Sequence, residues 1–376
     1  MAFDRLIENI ISKQNPTVAG LDPKLDYVPA SIKNACFEKY GKTLEGAAAA
    51  LLEFNKRIID NICDIVPAVK PQAAYYEMYG WQGVRALAET IAYARGKGMF
   101  VITDGKRNDI GTTMEAYATA HLGTTDVAGE SIDAFGADAL TVNGYLGTDG
   151  IKPLASICAQ KDKGMFVITD GKRNDIGTTM EAYATAHLGT TDVAGEAVDA
   201  FGADALTVNG YLGSDGIKPL LNVCKAKDKG IFVLVKTSNP SSGELQDLQL
   251  TDGASVYEQM GRMCESWGEE LPGKFGYSGV GAVVGATYPG QLAEMREKAP
   301  HTFFLVPGYG AQGGGANDAK NAFDKNGLGA VINSSRGIMC AWKKQGLTED
   351  DFAVAARNEA IRMKEDILSV IGEIKA

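Results

Sequence analysis

Two stretches of this chain place a carboxylate, an ammonium and a second carboxylate at one fixed spacing. Asp104-Gly-Lys106-Arg-Asn-Asp109 returns later as Asp170-Gly-Lys172-Arg-Asn-Asp175. Each follows a short apolar run rich in β-branched residues, Met99-Phe-Val-Ile-Thr103 and Met165-Phe-Val-Ile-Thr169. Side chains two apart on a strand point to the same side, so Asp104 and Lys106 form one pair and Asp170 and Lys172 another. Opposed charges hold each other ionised, and such an ammonium is both a fixed cation and a proton donor. Asp109 and Asp175 lie just beyond, at the start of a helical pattern. Taken alone, the string reads equally well as a solvated charged loop.

Other candidates also stand where apolar runs end. Asp22 closes one in Gly20-Leu-Asp-Pro23, where by itself it reads as an Asp-Pro turn. Lys70 closes another in Val69-Lys-Pro-Gln72; a lone lysine there is ordinarily a snorkelling surface residue. Ser238 lies in Val235-Lys-Thr-Ser-Asn-Pro-Ser-Ser242, a base-reading or lid loop, or simple turn chemistry. Pro307-Gly-Tyr-Gly-Ala-Gln312-Gly-Gly-Gly315 and Asn333-Ser-Ser-Arg336-Gly337 follow the last two runs. Glycine-rich loops with an arginine there suit a phosphate, through backbone N–H groups and a charge-assisted fork. His121, His187 and His301 have no zinc-ligand spacing and read as structural. No Walker loop or dinucleotide fingerprint occurs, so a nucleotide cofactor is not indicated.

The elements that must position these residues alternate β and α. The apolar runs are 17–21, 66–70, 99–103, 139–143, 165–169, 205–209, 231–235, 279–284, 302–306 and 330–333. They look like buried parallel strands, apolar on both faces. Helical patterns such as 44–62, 82–97 and 350–373 lie between or after them. The start, Met1 to Ile11, reads as an amphipathic helix with Phe3, Leu6, Ile7, Ile10 and Ile11 on one side. The expectation is an α/β fold, a single (β/α)8 barrel domain over 1–376 with its chemistry at the C-terminal strand ends.

The ten runs exceed eight because the chain repeats itself. Residues 98–163 and 164–229 are tandem copies of 66 residues that differ at eight positions, and 98–130 equals 164–196 letter for letter. Each copy carries two βα units. Both joints share Lys-Gly-x-Phe-Val, as a crossover between equivalent points of a barrel would leave it. Three outcomes are open: an eight-stranded barrel with one repeat unit extruded, a ten-stranded barrel, or a repeat that prevents folding. Ten strands would widen the interior and underfill a core built for eight. The eight-stranded core is therefore the expectation.

The net charge of −10 argues against a polyanion-binding surface. Six cysteines without a C-x-x-C pair fit a reduced, cytoplasmic setting. The N-terminus is not patterned as a secretory signal, and no apolar run approaches bilayer length.

Together, Asp22, Lys70, the Asp104-to-Thr113 string, Ser238, Pro307 to Gly314 and Arg336 resemble, in that order, orotidine 5′-phosphate decarboxylase, in its longer bacterial branch. The resemblance covers essentially the whole chain once one repeat is set aside. It implies a lyase of pyrimidine biosynthesis that converts orotidine 5′-monophosphate to UMP without metal or cofactor. It implies that Lys106 protonates C6 as carbon dioxide leaves, and that Asp104 sits against the substrate carboxylate. Lys70, Asp104, Lys106 and Asp109 would form an alternating charge network, with Asp109 reaching the neighbour's site in a homodimer. Asp22 and Thr113 would touch the ribose, Ser238 the pyrimidine, and Gln312 and Arg336 the phosphate. Asp170, Lys172, Asp175 and Thr179 match the same positions equally well, so the working copy is left open. Two rival readings remain: a related sugar-phosphate decarboxylase or lyase, marked by magnesium dependence, and an inactive duplicated scaffold that at most binds UMP. Neither nucleic acid nor membrane is expected as a partner.

Overall fold

The computed structural model describes residues 2–104, 115–119, 124–132, 139–141, 164–166, 177–193, 196–198, 203–310 and 314–375. Eight parallel strands close a barrel. They are β1 (Thr17–Leu21), β2 (Ala68–Pro71), β3 (Phe100–Asp104), β4 (Ala205–Val208), β5 (Gly230–Lys236), β6 (Val280–Val284), β7 (Phe304–Val306) and β8 (Ala330–Ser334). Each pairs with its neighbours in number, and β8 closes on β1. All eight coincide with apolar runs read from the sequence, with ends moved by up to two residues.

The alternation of side chains sorts two cores. Phe100, Ile102, Phe232, Leu234, Leu305 and Val331 pack in one cluster inside the barrel. Leu206, Val208, Ile231, Val233 and Ile332 pack outward under helices. The first helix, α1 (Ala2–Lys13), corks the N-terminal end of the barrel. Phe3 stacks on Phe232 with ring centroids 4.7 Å apart. Burial of this apolar face, at roughly 25 cal/mol per Å², holds a helix too short to persist alone.

The same end carries a buried charge. Asp204, 1% exposed, immediately precedes β4. It accepts the Val101 N–H at 3.1 Å and pairs with Lys229 Nζ at 3.4 Å, with Arg95 at 3.8 Å and with Arg5. A buried carboxylate survives only with such partners.

The repeat is divided between the barrel and an excursion from it. β3 belongs to the first copy and β4 to the second, and they pair directly, Thr207 opposite Asp104. The other two apolar runs of the repeat give the strands Ala139–Thr141 and Gly164–Phe166, which pair with each other in a separate parallel sheet. The eight-stranded expectation therefore holds and the ten-stranded arrangement is not adopted.

Helices divide in the same way. The helix α2 (Gly177–Leu188) of the second copy packs on α3 (Ser214–Lys227) and beside β4. Met180, Ala184 and Leu188 are buried in the outer core, and Ala203 N–H donates to His187 O at 2.9 Å. The matching stretch of the first copy, helical over 115–119, packs elsewhere. Tyr117 is buried with its hydroxyl 3.5 Å from Gln72 Oε1 at the end of β2. The third βα unit is thus composite, its strand from one copy and its helix from the other.

Side-chain energetics can choose only where the copies differ. Leu221 is buried in the outer core, whereas its twin is Ala155. A leucine-to-alanine change at such a place costs about 2–5 kcal/mol. The second copy therefore supplies the better fourth unit. For the third strand the copies are identical, and only chain connectivity distinguishes them.

Candidate active site

The C-terminal ends of the strands form the opposite mouth of the barrel, and Asp22, Lys70, Asp104, Ser238, Pro307 and Arg336 stand at or just past them. Asp22 directly follows β1 and is half-buried, its N–H 3.3 Å from Met339 Sδ. The register sets Gly20 opposite Lys70, so Asp22 and Lys70 stand on adjacent strand ends. Lys70 is only 5% exposed. The snorkelling reading of this lysine is therefore corrected: the alternation that turns Ala68 into the barrel also brings Lys70 to its closed interior.

Asp104 is the last residue of β3, next to β2 on one side and β4 on the other. Lys106, Asp109 and Thr113 lie outside the described residues, as do Asp170, Lys172, Asp175 and Gln312. Thr179 lies in the first turn of α2. Ser238 is two residues beyond β5.

Pro307 directly follows β7 and accepts the Ala286 N–H at 2.9 Å, which ties it to the end of β6. The glycine loop after it turns back on itself. Gly310 N–H donates to Gly314 O at 2.7 Å, and Gly314 N–H to Gly308 O at 3.1 Å. Gly308 and Gly310 have φ of 101° and 74°, a region glycine enters without strain. Tyr309 anchors the loop through its hydroxyl to Asp366. Arg336 opens a short helix, Arg336–Met339, just past β8, and is exposed. Gly20 permits that placement, because a Cβ on it would lie 1.8 Å from Ser335 Oγ. Asp22 and Arg336 thus flank the β1–β8 seam.

Several polar residues at the mouth carry no motif and were missed from the sequence. Gln72, Thr207 and Asn209 are almost fully buried. Their signal was the two-residue period continued past a strand end, from Lys70 to Gln72 and from Thr207 to Asn209. Tyr76 is buried beside them, and burial together with the nearby Asp22 carboxylate pushes its hydroxyl well above the ordinary tyrosine range. It donates to Leu21 O at 3.4 Å, while Asn55 Nδ2 donates to it at 3.0 Å.

A barrel mouth with lysine and aspartate on neighbouring strand ends, and with glycine and arginine loops after the last two strands, can hold an anionic ligand. Residues 47–169 and 156–346 match the Orotidine 5′-phosphate decarboxylase / HUMPS family, the two segments overlapping across the joint between the copies. The chain belongs to that family. A protein named orotidine 5′-phosphate decarboxylase from Rhodopirellula baltica is 37% identical over 95% of this chain and 96% of its own length. One of the same name from Caldicellulosiruptor bescii is 34% identical over 98% of both chains. Among solved structures, Leishmania donovani OMP decarboxylase aligns with TM-score 0.62 and 26% identity, covering 98% of both chains. Leishmania donovani UMP synthase aligns with TM-score 0.59 and 29% identity over 98% of this chain, which spans 56% of that longer protein. By family, then, the chain is a carboxy-lyase barrel. Among the described residues, no helix is long and apolar enough to cross a membrane.

Proposed function

We propose that the chain decarboxylates orotidine 5′-monophosphate to UMP in the cytoplasm, as a homodimer of single barrel domains. The observation that carries this is the convergence of Asp22, Lys70 and Asp104 on adjacent strand ends, with Ser238, Pro307 and Arg336 around the same mouth. Arg336 and Gln312 hold the phosphate, with Pro307 setting the start of the glycine loop. Asp22 and Thr113 hold the ribose, and Ser238 meets the pyrimidine.

The chemistry needs little beyond fixed charge. The bond from C6 to the carboxylate breaks, its electron pair stays on C6, and carbon dioxide leaves. Lys106 then delivers its proton to C6. Asp104 opposes the substrate carboxylate, and Lys70 and Asp109 complete an alternating network, Asp109 in the neighbour's site. A preorganised ammonium where negative charge develops is the main electrostatic aid. Binding energy from the remote phosphate orients the reacting end.

The first copy supplies this cluster. Asp104 ends a strand of the closed barrel, whereas Gly164–Phe166, at the start of the run leading to Asp170, pairs outside it. Tyr117 of the first copy also lies against Gln72 at the mouth. Asp170, Lys172, Asp175 and Thr179 are spare copies in this arrangement.

The test is the fall in ultraviolet absorbance when purified protein meets orotidine 5′-monophosphate with EDTA present. Turnover supports the reading. Magnesium dependence with indifference to this substrate points to a sugar-phosphate lyase, and UMP binding without turnover points to an inactive scaffold.

A further inference from the structure

A lysine that no motif singled out lies fully buried beside the pyrimidine loop. Lys236 ends β5, and its side chain is 0% exposed. A bulge at this point sets both Val235 and Lys236 against the single residue Val284 of β6. Val284 belongs to the helix-facing layer, so the extra residue re-aims Lys236 out of the lumen. Its ammonium donates to Asp247 Oδ1 at 2.7 Å and to Ser242 Oγ at 3.2 Å. It also lies 4.8 Å above the Tyr288 ring and 5.7 Å from that of Tyr257. A cation buried all round is held only because carboxylate, hydroxyl and ring faces replace its water.

These contacts draw the segment 240–247 over the chain that carries Ser238. Gln246 reaches back to Thr237, accepting its N–H at 3.0 Å and donating to its Oγ1 at 2.8 Å. Thr237 Oγ1 donates onward to Asn239 Oδ1 at 2.7 Å. From the other side, Gly285 N–H donates to Lys236 O at 2.8 Å. A Cβ on Gly285 would lie 2.9 Å from that of Ser238, so the two backbones touch. Ser238 is fixed on both flanks, and Lys236 is the anchor at the centre.

We propose that Lys236 is a positioning residue: through Asp247 and Ser242 it clamps the 240–247 segment and so sets Ser238 against the pyrimidine of the ligand. This rests on the pyrimidine contact assigned to Ser238 above. The probes are UMP and ribose 5-phosphate, titrated calorimetrically into the full chain and into K236M, D247N, S238A and K236M/S238A. Loss of one well-placed hydrogen bond corresponds to about tenfold in affinity. K236M is expected to weaken UMP about tenfold and ribose 5-phosphate less than about twofold, with D247N in the same direction. In the S238A background K236M adds little, because coupled residues are not additive. Equal losses for both ligands, or losses that multiply in the double variant, overturn the proposal. If K236M does not fold, D247N carries the same comparison. S238A with unchanged UMP affinity overturns the Ser238 assignment and the proposal with it. An effective S238A beside neutral K236M and D247N overturns the positioning role alone.

Discussion

Asp104 and Thr207 are paired neighbours on adjacent barrel strands, although residues 105–206 lie between them in sequence. That pairing joins the end of the first copy's catalytic-type strand to the second copy's next strand. It makes the choice between copies a matter of topology, which mutation can test.

Lys106→Ala should lower kcat by about 10³-fold, the scale of losing a positioned proton donor. Lys172→Ala should retain most of the activity. Steady-state assays of the two variants under identical conditions decide it; a larger loss in Lys172→Ala would mean that the second copy's strand occupies the barrel in solution.

Arg336→Ala should raise KM for orotidine 5′-monophosphate roughly 10- to 100-fold, as loss of a charge-assisted contact to phosphate does. Arg336→Lys should recover part of this, lacking the fork geometry. An unchanged KM in Arg336→Ala would remove the arginine from the phosphate site.

Asp204→Asn should destabilise the barrel by about 3 kcal/mol, since it leaves Arg5, Arg95 and Lys229 facing a neutral group. Its twin, Asp138→Asn, should have little effect, because the strand after it pairs outside the barrel. Denaturant unfolding of both variants measures the contrast, and equal destabilisation would contradict the division of copies.

Glu258 gives a pH test. Lys298 and the Ser255 N–H, which reaches Glu258 Oε2 at 2.6 Å, hold its carboxyl down at about 2. A folded value below the unfolded one stabilises at pH above the ordinary value of 4.5, and this is lost as pH falls through about 2. The contribution is on the order of 2 kcal/mol once screening of the exposed Lys298 is allowed for. Glu258→Gln should be less stable than the parent at pH 6, and the gap should narrow by pH 3. A gap independent of pH would show that the carboxylate's charge is not what the site uses.

Much of this fold was legible because burial on both faces writes unmistakable runs. All eight barrel strands announced themselves, as did α1 and the helix Leu44–Ile62. The hairpin pairing Thr125–Val127 with Glu130–Ile132 did not, although the left-handed Ala128-Gly129 turn, with φ of 54° and 90°, was its available signal. The bulge at Lys236 left no trace in composition, so a structural anchor read as part of a loop. The division of the repeat could not be read for the third strand, because identical residues have identical propensities. Only Leu221 against Ala155 carried a hint for the fourth unit. Asp22, Lys70, Ser238 and Arg336 stood out in the sequence because each closes or follows a run, while Gln72 and Asn209 lack any charge to draw notice.

The direct pairing of β3 with β4 also says something about how a barrel tolerates foreign sequence. The connection from β3 to β4 is about three times its length in a single-copy chain, yet the entropy of closing it rises only with the logarithm of length, about 1 kcal/mol. Closure of the sheet is indifferent to what hangs from that edge. This connection is therefore a natural port: a guest domain whose ends lie close together could be spliced there with the ring of strands left whole, and a barrel of this kind could acquire new parts without first learning a new fold.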